Sequence, residues 1–149
     1  MLLSELVLSA LTDVILACEL FFLAGLSLRP GIQTFSPAWI WSLTLALIGL
    51  ASMLGAIDHG FFETIGHEAH RPLVIATRIV IVLGSLSMIV AASFQYLSSP
   101  LRQGFVAAGV LGALWPVFMI LTSDDFLSVI LYYSIGLIFL LVLSVVRFR

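Results

Sequence analysis

Residues 55–72 read GAIDHGFFETIGHEAHRP, and this stretch holds all 3 histidines of the 149-residue chain. Asp58, Glu63, Glu68 and Arg71 stand among them, so ionisable groups that are scarce elsewhere are gathered in one place. Long apolar runs lie on either side. That contrast decides the fold class. An apolar run of about 20 residues crosses the hydrocarbon core of a bilayer, and several such runs follow one another here with only short polar breaks.

Composition leads to the same conclusion. Hydrophobic residues make up 62% and charged residues 9%, with mean hydropathy +1.23, whereas soluble domains carry about 25% charged residues. The expected architecture is all-α: a polytopic transmembrane helix bundle in a single domain, 1–149. Its five spans are expected at about 2–28, 38–58, 72–96, 103–121 and 126–146, with a short interfacial helix or loop between the second and third. Net charge is −2 and lysine is absent, which excludes a nucleic-acid surface and a polybasic lipid clamp. The single cysteine, Cys18, excludes an intrachain disulfide.

The first segment lacks the positive n-region of a signal peptide and carries Glu5 and Asp13 instead, so it reads as a retained helix. At helical spacing Glu5, Ser9, Thr12 and Glu19 fall within about 40° of one line, with Asp13 beside them. A carboxylate at membrane depth costs roughly 2.5 to 3.5 kcal/mol on insertion scales, so Asp13 and Glu19 need partners, protonation or a wet cavity. Arg29-Pro30-Gly31 ends this helix and Ser36-Pro37 starts the next, with Trp39 and Trp41 as interface anchors. Along that second helix, Ala51, Gly55 and His59 repeat every fourth residue and let another helix approach closely.

If residues 58–71 form one helix, His59, Glu63, His67 and His70 project within about 80° of each other. Imidazoles and a carboxylate at such spacing form a metal-ligand set, and zinc is the expected ion. Two other readings fit the same residues: a solvated wet face, or a patch that titrates near neutral pH. Gly60 and Gly66 weaken the helix, at about 1 kcal/mol each. His67-Glu68-Ala69-His70 is one residue short of the HExxH spacing, which excludes the metalloprotease reading.

Pro72 opens the third helix, and Arg78 lies roughly 9 Å along it. Its expected partners are Asp13, Glu5 or the histidine segment. Ser98-Ser99-Pro100 with Arg102 marks the next turn, and Gly104, Ala108 and Gly112 form a small-residue ridge that packs inside the bundle or between protomers. Pro116 is expected to kink the fourth helix, and Ser123-Asp124-Asp125 to cap the fifth. Arg29, Arg102, Arg147 and Arg149 fall on one side of this arrangement, against Arg71 and Arg78 on the other. The positive-inside rule then sets the C-terminus in the cytoplasm and the N-terminus outside, in a bacterial inner membrane.

Gly55-Ala56-Ile57-Asp58-His59-Gly60 resembles a GAxxHG signature of small bacterial integral membrane proteins, which are in turn similar to the alkaline-ceramidase-like superfamily of membrane hydrolases. The resemblance covers the second helix and its exit. It implies a zinc-dependent hydrolase in which His59 is a zinc ligand and the metal polarises an amide carbonyl and activates water. The superfamily has seven helices and a histidine pair on the last, whereas this chain has five expected spans, no histidine in its last helix, and Gly55 where the superfamily has serine. Four functions therefore stand side by side: a metal or polar-ligand site, a non-catalytic subunit or homo-oligomer in a membrane complex, a membrane hydrolase, and a proton or ion pathway along Glu5, Asp13 and Glu19.

Overall fold

The computed structural model describes residues 2–123 and 125–147, with side chains described for all of these except residues 2–4 and Thr64. Five helices follow in order: α1 (Leu2–Ser27), α2 (Pro37–Ile57), α3 (His70–Tyr96), α4 (Ser99–Thr122) and α5 (Leu127–Arg147). All 5 are long and apolar enough to cross a membrane. Among the described residues there is no strand.

The helix starts follow local chemistry. Ser36 accepts a hydrogen bond from the Trp39 N–H at 3.3 Å, and Pro37 sits in the first turn of α2, where its missing N–H costs nothing. α4 begins at Ser99 instead of near residue 103, because Pro100 is accommodated in its first turn and does not hold the chain in a loop. The Arg102 guanidinium then covers the Phe94 ring at 4.6 Å and ties the start of α4 to the end of α3. Asp125 caps α5, with its carboxylate oxygens accepting from the N–H groups of Leu127 at 3.0 Å and Ser128 at 3.3 Å. Asp124, expected to share that role, lies outside the described residues, as does Arg149.

α3 is the centre of the bundle, packed against α2 on one side and against α4 and α5 on the other, while α1 lies against α2. Small residues set these contacts. Ala17 and Ala24 of α1 are buried, and a Cβ on Gly49 of α2 would sit 3.2 Å from the Leu20 Cβ. Ser42 donates to the Ala24 carbonyl at 2.5 Å. Between α2 and α3, the Thr44 and Ser87 hydroxyls lie 2.8 Å apart. Tyr132 of α5 donates to the Gly109 carbonyl of α4 at 2.8 Å. Within the chain α4 therefore packs through Gly109, Ala113, Pro116 and Ile120, all buried. Of the ridge expected to pack, Gly104 and Ala108 are exposed and only Gly112 meets a neighbour, the Tyr132 ring.

The polarity of this bundle is inverted relative to a water-soluble one. Ser42, Thr44, Ser85, Ser87, Ser93 and Ser128 are buried, whereas Phe22, Leu111, Phe118, Leu121 and Leu141 are more than 60% exposed. In water that exterior would be one continuous apolar patch, far beyond the few hundred Å² that soluble monomers expose.

Candidate functional site

At Asp58 the regular turns of α2 give way to a single π-helical turn, Asp58–Phe62, in which the Glu63 N–H reaches back to the Asp58 carbonyl. Such turns concentrate at functional sites, because the widened turn re-aims the side chains that follow it. One 3-10 turn, Glu63–Ile65, completes the segment, and Gly66 ends it in the left-handed region at φ 59°. The chain then reverses and enters α3 at His70. The continuous helix considered over residues 58–71 is thus replaced by two short irregular turns and a glycine break.

This backbone sorts the polar residues. Asp58 is turned inward and only 3% exposed. Its carboxylate accepts a hydrogen bond from His70 Nδ1 at 2.8 Å, joining the end of α2 to the start of α3. His59 is flanked by carboxylates on both ring nitrogens: Nδ1 pairs with Glu63, and Nε2 lies 4.0 Å from the Asp13 carboxylate of α1. Asp13 passes close over Gly55, where a Cβ would stand 3.1 Å from the Asp13 Oδ2. Asp13, His59 and Glu63 form one set of contacts and Asp58 with His70 a second, and the two stand side by side as one polar group where α1, the irregular turns and the start of α3 meet.

Within that group, one ligand atom each from Asp58, His59 and Glu63 lie within 4.8 Å of one another. Tetrahedral ligands on metal bonds of about 2.1 Å stand roughly 3.4 Å apart, so side-chain rotations of an ångström or so would close the set on an ion. His70 holds the Asp58 carboxylate in orientation, as outer-shell partners of metal ligands do.

The remaining sequence candidates are distributed differently. His67, set beyond the Gly66 break, is exposed; its ring packs on Phe62 with centroids 5.0 Å apart, and its Nδ1 accepts from the Ala69 N–H at 3.1 Å. Glu5 and Glu19 of α1 are exposed, whereas Asp13 is half-buried with its carboxylate 4.0 Å from His59 Nε2. Arg78 lines the same cavity as His59, Glu63 and His70, with its guanidinium 5.3 Å from the centre of the Phe126 ring. Asp58 was not among the ligands expected from sequence. It lies at the start of the π turn, with a ligand atom within 4.8 Å of those of His59 and Glu63.

The cavity fronting this group has a volume of about 730 Å³ and runs from Asp58 and His59 to the end of α4 at Ser123. The chain belongs to the DUF6962 family. That family, described as one of unknown function, is matched over residues 8–149, so every residue of the polar group lies inside the DUF6962 region. No curated protein and no solved structure matches the chain.

Proposed function

We propose that this chain is a five-span integral membrane protein whose Asp58, His59 and Glu63 bind a divalent transition-metal ion at the mouth of an open cavity. The single observation that carries the metal is the gathering of those three ligand atoms within 4.8 Å on two consecutive irregular turns. One imidazole and two carboxylates suit zinc, and also manganese or ferrous iron. The inverted polarity of the bundle supports the bilayer, and the arginine distribution supports an external N-terminus and a cytoplasmic C-terminus in a bacterial inner membrane.

The test is elemental analysis of protein purified gently in detergent. One equivalent of metal is expected, lost in His59→Ala and in the double variant Asp58→Asn with Glu63→Gln, and retained in His67→Ala. An intact protein without metal, even after incubation with zinc, manganese or iron, would overturn the reading. If metal is present, the zinc-hydrolase alternative becomes a matter of assay, because an ion held by three protein ligands keeps a position for water.

A second reading, a subunit of a membrane assembly or a homo-oligomer, is favoured by α1. Its outer face carries Glu5, Ser9, Thr12 and Glu19, all exposed, and carboxylates facing lipid need donors from another helix. Co-purification of a stoichiometric partner, or cross-linked dimers through Cys18, would support it over the isolated chain.

A further inference from the structure

α1 is the least buried of the five spans. Among the described residues it packs on α2 and on the irregular turn that follows, and on no other helix to any substantial extent. One face makes that contact. A Cβ on Gly60 would stand 3.6 Å from the Ala10 Cβ, one on Gly49 would stand 3.2 Å from the Leu20 Cβ, and the Ala24 carbonyl accepts from Ser42. Ala10, Asp13, Ala17, Leu20 and Ala24 follow one another in alternating steps of three and four residues, the spacing that keeps a seam facing one neighbouring helix. A second seam of the same period lies roughly 110° around the helix from the first. It comprises Glu5, Ser9, Thr12, Leu16, Glu19 and Leu23, and every one of these residues is exposed.

The second seam holds polar groups where lipid cannot solvate them. In α2–α5 the described residues include no exposed acidic side chain, and their exposed hydroxyl-bearing serine and threonine, Ser99 and Thr122, lie at helix ends. Glu19, by contrast, lies roughly 12 Å from the end of α1 at Ser27. Among the described residues neither Glu5 nor Glu19 has an ion pair or a hydrogen-bonded side chain. A carboxylate at the depth of Glu19 is strongly disfavoured against lipid, so this seam has to meet a donor. A second copy does not supply one. Copies of one chain insert in one orientation, so a symmetric dimer through the seam sets Glu19 against Glu19. The exposed arginines among the described residues, Arg29, Arg71 and Arg147, stand at or beyond helix ends. We infer that the outer seam of α1 docks a transmembrane helix of a different polypeptide, one that carries basic side chains two heptads apart opposite Glu5 and Glu19 and small or hydroxyl-bearing residues opposite Ser9 and Thr12.

This inference deepens the subunit reading above and does not rest on the metal. The probe is a designed leucine-alanine transmembrane peptide with arginines two heptads apart, set beside a control peptide with leucine at both positions. Each is titrated in phosphatidylcholine vesicles against the full chain, labelled at its C-terminus, and association is read by resonance energy transfer. The arginine peptide is expected to associate about tenfold more tightly, on the scale of interhelical polar contacts in bilayers. Glu19→Gln should remove most of that preference, with helix content by circular dichroism unchanged because the position is exposed. Moving the carboxylate off the seam, by combining Glu19→Gln with Phe22→Glu at a position 65% exposed, should not restore it. Equal association of the two peptides, an unchanged preference in Glu19→Gln, or full restoration by Phe22→Glu would each overturn the assignment. Self-association of the chain alone that Glu19→Gln abolishes would also overturn it and make a second copy the occupant. A stoichiometric partner purified from the native membrane whose spans carry no basic residue would overturn the assignment while leaving the subunit reading standing, so the two failures are told apart.

Discussion

Replacing Gly66 with alanine separates two accounts of the histidine segment by the sign of a single stability change. Gly66 lies at φ 59°, ψ 37°, with no atom within 4 Å of where a Cβ would stand. No clash accompanies the added methyl group, and the effect is one of backbone conformation alone. A left-handed conformation costs a residue with a Cβ roughly 1 to 2 kcal/mol relative to glycine. In a continuous helix the same substitution would instead stabilise by about 1 kcal/mol. The two accounts thus differ by at least 2 kcal/mol or so, and in direction. The assay is equilibrium unfolding by SDS titration in mixed micelles, followed by circular dichroism, with Gly66→Asn as a companion because asparagine tolerates the left-handed region. The expected order is wild type, then Asn, then Ala, from most to least stable. An alanine variant more stable than wild type would refute the break at Gly66 and restore His67 to the face of His59 and Glu63.

Other changes test the contacts around the site. Asp58→Asn leaves His70 without its carboxylate and should reduce stability by about 1 to 3 kcal/mol in the same unfolding assay, together with loss of bound metal. Gly55→Ala drives a Cβ to 3.1 Å from the Asp13 carboxylate, so metal affinity or α1 docking should fall, whereas Gly55→Ala combined with Asp13→Ala should recover docking as judged by protease resistance of α1. Tyr132→Phe removes the donor to the Gly109 carbonyl and should cost roughly 0.5 to 1.5 kcal/mol in unfolding, leaving metal content unchanged.

Much of the architecture was legible because the apolar helices are long, and long segments average out local ambiguity. Ser36-Pro37 announced the start of α2, and Asp125 the start of α5, through chemistry that acts within three residues. α4 started earlier than its sequence suggested because a proline read as a turn residue fits equally well in a first helical turn. At the site, His59 and Glu63 were recognisable from their i, i+4 spacing, which the π turn preserves as a contact. Helical geometry misplaced His67 because Gly66 changes the sign of φ, something glycine permits and does not announce. Asp58 was named in the segment but not among the ligands, since its burial and its pairing with His70 are tertiary facts. Asp13 stood out as a carboxylate within an apolar run, but its meeting with His59 across the packing of α1 on α2 is a tertiary fact.

The position of α3 between the two helix pairs has a consequence for how the chain divides its labour. Every member of the polar group, from Asp13 to His70, is encoded in the first 70 residues, and the end of α4 with Phe126 supplies the opposite wall of the cavity. Substitutions along Ile120, Leu121 and Phe126 therefore reshape what the cavity admits without disturbing the polar group itself. On the proposed reading, the end of α4 and Phe126 form an adjustable gauge set against a fixed chemical centre.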